Sequence, residues 1–389
     1  MRDVVLAKDL RRAVALGHPW IYDRALAPVR EPLAPGELVR LRDRRGPLAV
    51  GFADPASPIR VRVLSRAPEP PPRLWVAERA RRAGALRRAD PRLAETDAIR
   101  LIHGEADFMP GLVVDLYGDT AVVVMDGEAA AAVWTPALAE VRDGLAAAGF
   151  SIARLWQRRR GRPGRLLAGD PPPATVIVQE AGARFEVDLH RGQKTGLFLD
   201  QRDNRRYLRE LAGGAEVLNL YGYTGGFSIH AALGGARRVV TVDVAAPAIE
   251  AAARNLALSG LDRSRHELVC ADAPAWLERA AAAGRRFDIV VCDPPSFAPR
   301  EGALPAARRA YLRINRLALA LVAPGGLLLT ASCSSHLTRA HLREAVAGAA
   351  AAAGRAVVVR GERGAASDHP VLPAFPEGDY LKLLDCHAG

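Results

Sequence analysis

Cysteine is scarce in this chain. Only Cys270, Cys292, Cys333 and Cys386 occur in 389 residues. None forms a CxxC pair and no Cys/His cluster has zinc spacing, so a zinc finger or ribbon is excluded and no metal is expected. Long apolar runs are missing as well. The stretch from Leu317 to Leu329 is interrupted by Pro324, Gly325 and Gly326 and is too short to span a bilayer. The opening run MRDVVLAKDLRRAV has charges throughout and no apolar centre, so no signal peptide and no membrane partner are expected. With so few thiols, a reducing cytoplasm fits best. Acids are in deficit too: 43 Asp and Glu face 54 Lys and Arg, a net charge of +11. The basic residues are mostly arginine, which the high Ala, Gly and Pro content ascribes to a GC-rich genome. Such a bias does not unbalance acid against base, so the excess points to a polyanionic partner. What remains is a globular composition, 49% hydrophobic and 25% charged, long enough for two or three domains.

Residues 1–68 read as a small β-rich domain. Short apolar stretches at 4–6, 37–42, 48–52 and 59–64 are separated by turn residues, with one helix expected at 10–16. Its first 66 residues hold 13 basic and 7 acidic side chains. Lys8, Arg11, Arg12, His18 and Trp20 gather near one turn and suggest a phosphate and base platform. The alternative is a solvated helix with the tryptophan packed beneath it. A central α/β domain is expected at 69–184, after the linker Pro68 to Pro72. It has helices at 74–86 and 133–148, a hairpin-rich stretch at 99–126, strands at 151–156 and 175–180, and a basic, glycine-rich loop at 158–169. Exposed strand edges there permit a homodimer. Beyond residue 184, buried strands alternate with helices of crossover length, which predicts a mostly parallel sheet covered on both faces. Late strands at 357–360 and 380–384 close its edge.

Three motifs sit at the ends of these strands. The run Asn219-Leu-Tyr-Gly-Tyr-Thr-Gly-Gly-Phe-Ser follows the first strand and opens a helix. Its glycines at 222, 225 and 226 permit a tight turn and close approach of backbone to a cofactor. Asp243 ends the next strand, placed for ribose hydroxyls, and Asp272 follows the third, with room for an adenine amino group. A dinucleotide is an alternative occupant, although the glycines do not form GxGxxG. The fourth strand ends in Asp293-Pro-Pro-Ser-Phe297, a flat slot in which Asp293 can pair with the polar edge of a base. The fifth ends at Ala331-Ser332-Cys333. A thiol at the crevice edge is a nucleophile candidate, and the competing reading is a small buried hydrophobe. Cys270 and Cys292, in apolar strand ends, are expected to pack.

These motifs resemble a known family. The stretches LRRAVALGHPWIYDRAL, FEVDLHRGQKTGLFLDQRDNRR, NLYGYTGGFSIHAA, DPPSFA, LLLTASCSSH and DHPVLPAFPEGDYLKLL are similar to the ribosomal RNA large-subunit methyltransferase I family of bacterial enzymes. The resemblance implies an N-terminal PUA domain, a central α/β domain and, at 185–389, a Rossmann-like class I methyltransferase domain. It implies S-adenosylmethionine as cofactor and 23S ribosomal RNA as partner, with 5-methylcytosine as product. It assigns Asn219, Tyr221, Gly222, Tyr223, Thr224, Gly225, Gly226 and Phe227 to the cofactor turn, Asp243 to the ribose and Asp272 to the adenine. Thr195, Asp200, Gln201 and Arg202 fall in a signature that folds over cofactor and active site; the residues alone read there as a polar loop. Cys333 matches the catalytic cysteine, and Asp293 the acid that holds the cytosine edge beside the cofactor. Where some relatives carry a second cysteine this chain has Ser296, and the base that removes the product proton is unassigned. Other acceptors, a uracil carbon or a guanine nitrogen, are the alternatives, and a noncatalytic RNA-binding protein is a third.

Overall fold

The computed structural model describes residues 1–389 apart from Arg73, Arg160, Pro299 and the side chain of Glu301. The chain forms two compact units. One comprises Met1–Val176, Val187–Leu199 and Ser367–Gly378; the other comprises Ile177–Glu186, Asp200–Ala366 and Asp379–Gly389.

The first unit opens with β1 (Arg2–Val5), α1 (Arg11–Leu16), β2 (Trp20–Tyr22), β3 (Leu38–Asp43), β4 (Gly46–Ala53) and β5 (Ile59–Ser65). The strands form a five-stranded sheet ordered β1-β3-β4-β5-β2. Then come α2 (Trp75–Arg88), β6 (Ala98–His103), β7 (Leu112–Tyr117), β8 (Thr120–Met125), α3 (Gly127–Trp134), α4 (Leu138–Ala147), β9 (Arg154–Arg159) and β10 (Arg162–Ala168). These build a second five-stranded sheet, β10-β9-β8-β7-β6. Phe52 and Leu64 join the core of this part, with Leu101, Val114, Val123 and Trp134.

Three expectations change here. The helix expected at 133–148 is two, α3 and α4, because Pro136 has no N–H to continue the first. The basic stretch 158–169 is largely strand β10 rather than loop, and Arg160 within it lies outside the described residues. Gly164 lies against the Trp156 ring, where a Cβ would come within 2.2 Å of ring carbon. The platform near α1 is mostly engaged in packing. Trp20 meets the Phe375 ring edge-on at 4.5 Å and donates from Nε1 to Glu105 at 2.8 Å. His18 packs on the same Phe375 ring, and Arg11 forks onto Asp43. Lys8 and Arg12 alone of the set are exposed.

A two-stranded hairpin, β11 (Thr175–Glu180) and β12 (Ala183–Asp188), precedes the main sheet. The second unit continues with α5 (Arg202–Leu211), β13 (Glu216–Leu220), α6 (Gly226–Leu233), β14 (Arg238–Asp243), α7 (Ala246–Leu258), β15 (His266–Cys270), α8 (Ala273–Ala282) and β16 (Phe287–Cys292). It ends with α9 (Leu304–Leu319), β17 (Val322–Ser332), α10 (Arg339–Ala352), β18 (Val357–Arg363) and β19 (Lys382–Ala388). Its sheet has seven strands ordered β15-β14-β13-β16-β17-β19-β18. The first five are parallel, and β19 runs antiparallel to β17 and β18. The near-continuous apolar strands are covered by two cores. Leu218, Val240, Val290 and Leu328 lie with α8, α9 and α10 on one face; Val217, Val239, Val291 and Leu329 lie with α5 and α6 on the other. After β13 the chain winds out to β14 and β15, then returns to β16 on β13's other side. That reversal opens a crevice at the carboxyl ends of the strands. Among the described residues no helix is long and apolar enough to cross a membrane.

Candidate active site

The turn after β13 is shaped by backbone. Tyr221 and Tyr223 hold φ of 57° and 47°, and Gly225 holds 86°. Two tyrosines in the left-handed region are backbone strain of the kind that clusters at functional sites. At Gly222 a Cβ would sit 2.4 Å from Thr241 Cγ2, so no side chain fits. Below the turn, buried Asn219 donates from Nδ2 to Ser228 Oγ at 2.8 Å, while its Oδ1 has no hydrogen-bond partner. Asp243 closes the turn: its Oδ2 accepts from the Tyr223 N–H and its Oδ1 from the Ala245 N–H, both at 2.9 Å. Each carboxylate oxygen keeps a lone pair for a further donor such as a ribose hydroxyl. Thr224 gives its carbonyl to Asn255 Nδ2 at 3.0 Å. Phe227 is buried in the core under the turn. Asp272 is exposed and caps α8, accepting from Ala275 N–H at 3.0 Å.

The 200–202 signature is a helix start, not a loop, and its residues part ways. Gln201 donates from Nε2 to Asp293 Oδ2 at 2.8 Å and accepts from Asn204 at 2.6 Å. Asp200 accepts from the Tyr380 hydroxyl at 2.7 Å. Arg202 turns into a buried ion cluster, 3.6 Å from Glu180, which also receives the Arg205 fork at 2.5 and 2.7 Å and His230 at 3.0 Å. Arg205 in turn packs beneath Gly226, where a Cβ would meet it at 3.0 Å. Thr195 belongs to the first unit, where its hydroxyl bonds Asp115 at 2.6 Å and the Tyr117 hydroxyl at 2.8 Å.

On the other side of the switch point, side chains build the site. Cys292 ends β16 opposite Thr330 of β17, so Asp293 and Cys333 leave neighbouring strands at the same edge. Cys333 is half-buried. Beside it the Ser334 hydroxyl lies 2.9 Å from Ser296 Oγ and 3.4 Å from the Tyr311 hydroxyl. Phe297 packs edge-on against Tyr311 at 5.0 Å, so it walls the slot as part of the core rather than as a free stacking ring. Burial pushes the Tyr311 hydroxyl up to about 12. Behind the turn, Lys382 Nζ donates to the Ser334 carbonyl at 2.7 Å and to that of Tyr380 at 2.8 Å. Sequence reasoning missed Tyr311 and Lys382. The signal for Lys382 was its type: the lysines of this chain are Lys8, Lys194 and Lys382, against 54 basic residues in all. Of the other thiols, Cys292 and Cys386 are buried, and burial pushes both up, Cys386 to about 12. Cys270, expected to pack, is exposed because β15 is the edge strand.

A glycine turn with no room for side chains, an acid at the next strand end and a buried acceptor without a partner together fit a bound nucleoside. A family model for S-adenosylmethionine-dependent methyltransferases matches residues 139–368, and one for PUA-like domains matches residues 4–66. Among full-length relatives, a ribosomal RNA large subunit methyltransferase of Deinococcus radiodurans is 38% identical over 95% of this chain and 93% of the relative. A ribosomal RNA large subunit methyltransferase I of Cronobacter sakazakii is 37% identical over 99% and 98%. A solved methyltransferase complexed with S-adenosylhomocysteine superposes with a TM-score of 0.87 over 100% of each chain, at 21% identity, which shows the shared fold. S-adenosylmethionine is therefore the cofactor, and the chain belongs to the ribosomal RNA large-subunit methyltransferase I family.

Proposed function

We propose that this protein methylates carbon 5 of a cytosine in 23S ribosomal RNA through a covalent bond from Cys333 to carbon 6. The observation that carries the reading is Cys333 at the carboxyl end of β17, one strand from Asp293 and two from the cofactor turn. The relatives' names point to large-subunit ribosomal RNA, and the PUA-like match at 4–66 supports an RNA substrate. Bound S-adenosylmethionine supplies an electrophilic methyl group. Carbon 5 of a cytosine is too weak a nucleophile to take it unaided, and an oxygen or nitrogen acceptor would need no thiol. Addition of the Cys333 thiolate to carbon 6 converts carbon 5 into an enamine-like nucleophile. Once carbon 5 is methylated, a base takes its proton, the carbon 5–carbon 6 double bond re-forms and the bond from carbon 6 to sulfur breaks, which frees the Cys333 thiolate. Asp293, held by Gln201 at 2.8 Å, is the acid at hand for the amino edge of the base. Asp243 takes the ribose of the cofactor, and the orphaned Asn219 Oδ1 is the further buried acceptor of that pocket.

Replacing Cys333 by Ala removes the nucleophile. Methyl transfer to 23S ribosomal RNA is expected to fall by a factor on the order of 10⁴ or more, with cofactor affinity unchanged. Transfer at the wild-type rate by that variant would sink the covalent route. Mass mapping of the product nucleoside decides the acceptor: 5-methylcytidine supports the reading, whereas 5-methyluridine or an N-methylguanosine overturns it.

A further inference from the structure

The reactive turn is built around a buried lysine for which the methylation chemistry above has no use. Lys382 is the first residue of β19, paired across the ladder with Ser332, the last residue of β17. Its side chain is only 2% exposed. Both groups that Nζ touches are backbone carbonyls, that of Ser334 at 2.7 Å and that of Tyr380 at 2.8 Å. Of the two acids three residues away along the chain, Asp379 is held at 3.1 Å by Arg339 and Asp385 is engaged by Arg360 at 3.3 Å and by the Tyr207 hydroxyl. Among the described residues no carboxylate forms an ion pair with Nζ. A buried ammonium that lacks a carboxylate is costly unless another negative group compensates it. Asp379 acts on Lys382 from a distance and Arg339 offsets it; the thiol that immediately precedes Ser334, when ionised, is a further negative group whose field acts on Lys382. Two carbonyls use two of the three ammonium donors, which leaves the third. The residue type agrees. A chain that uses arginine almost everywhere has here a compact, tetrahedral point charge, and a planar guanidinium does not make the same contacts.

We propose that Lys382 is the positioning residue for Cys333: it fixes the Cys333–Ser334 turn through the Ser334 carbonyl and supplies the buried positive charge that holds the thiol as thiolate. The proposal rests on Cys333 being the nucleophile. Burial pushes the Lys382 ammonium down to about 8, so it is still charged at neutral pH and its help fades above that value. Among the described residues, titratable or charged groups near the pair include Tyr311 on α9, Asp293 after β16, and Asp379 with Arg339. Tyr311 stays neutral, Asp379 and Arg339 offset each other, and Asp293 opposes ionisation of the thiol. Lys382 is the favourable charge of this set.

The test is the pH profile of iodoacetamide alkylation at Cys333 in the full-length protein, resolved from Cys270 by peptide mass analysis. In the wild type the midpoint is expected below the ordinary thiol value of about 8.5. In Lys382→Met it is expected to rise by about one unit, slowing alkylation near pH 7 about tenfold. In Lys382→Arg, which keeps a charge, the midpoint is expected to stay closer to the wild type. A wild-type midpoint at or above that of a free thiol overturns the proposal even if neither variant folds. So does a folded Lys382→Met protein with an unshifted midpoint. The profile is independent of turnover, so it is separable from the Cys333→Ala assay: loss of transfer in Cys333→Ala with an unshifted midpoint in Lys382→Met leaves the nucleophile standing and removes the lysine's role.

Discussion

The two halves of the crevice in the second unit are made of different material. On the β13–β14 side, the shape comes from backbone: left-handed turn residues, a glycine, Gly222, with no space for a Cβ, and an aspartate whose oxygens are bonded to main-chain N–H groups. On the β16–β17–β19 side, the shape comes from side chains drawn from distant places in the chain: Gln201, Asp293, Ser296, Tyr311, Cys333 and Lys382. A cofactor shared by many reactions needs a cradle, and backbone makes one within ten consecutive residues. A nucleophile needs its ionisation and direction set, and only functional groups from several elements can do both.

The two halves should break separately. The largest expected effect on stability is at Glu180, whose carboxylate anchors Arg205 and His230 under the glycine turn. Removing one partner of a buried ion cluster costs about 3–5 kcal/mol. Glu180→Ala should therefore lower the denaturation midpoint sharply, with loss of cofactor binding. The same cluster sets a pH dependence. Burial alone would raise the Glu180 carboxyl, but Arg205 and His230 more than offset it and hold it well below the usual carboxylate range. Burial lowers His230 from its ordinary value. A depressed carboxyl contributes stability present above its unfolded value and lost as pH falls through the folded one. A depressed histidine likewise costs stability once the unfolded form takes up a proton. Both signs agree, so thermal stability should fall as pH drops below about 6.5, more steeply below about 4.3. A Tm that holds constant from pH 7 to pH 4 would show that the cluster is not what carries the fold there.

Gly222→Ala comes next. The added methyl meets Thr241 at 2.4 Å, an overpacking that costs about 1–3 kcal/mol. Calorimetric titration should show S-adenosylmethionine affinity weakened by about tenfold or more, equal to 1.4 kcal/mol. Cys333 alkylation should not change; if it does, the halves are not separable. The smallest effect is expected at Ser296. Ser296→Ala removes one hydrogen bond to Ser334, worth about 0.5–1.5 kcal/mol. Steady-state transfer should stay within about tenfold of wild type; a larger loss would make Ser296 part of the chemistry.

The halves also differ in how far they could be read from sequence. Glycines 222, 225 and 226 and Asp243 announce a tight strand-to-helix turn, because a backbone device needs specific residues close together. Helix α5 was invisible to apolar periodicity because its buried face is Arg202, Asn204, Arg205 and Leu208. Those polar residues are buried only because Glu180, Gln201 and the Gly364 carbonyl meet them, and none of these partners is predictable from local pattern. Strand β10 was hidden by its arginines and glycines, since an edge strand need not be apolar. Trp20 looked like a stacking platform, and the second of the two readings, a tryptophan packed beneath the surface, is the one Phe375 and Glu105 select.

By itself, then, the sequence determined the alternating parallel sheet, the glycine turn after its first strand and the thiol at the end of the fifth strand of that series, because strand and turn propensities act over a few residues. Tertiary structure alone decided which side chains surround that thiol. The antiparallel return of β19 beside β17 brings Lys382 to the Ser334 carbonyl across 48 residues of chain. No local preference encodes that meeting, since it exists only once the sheet has closed.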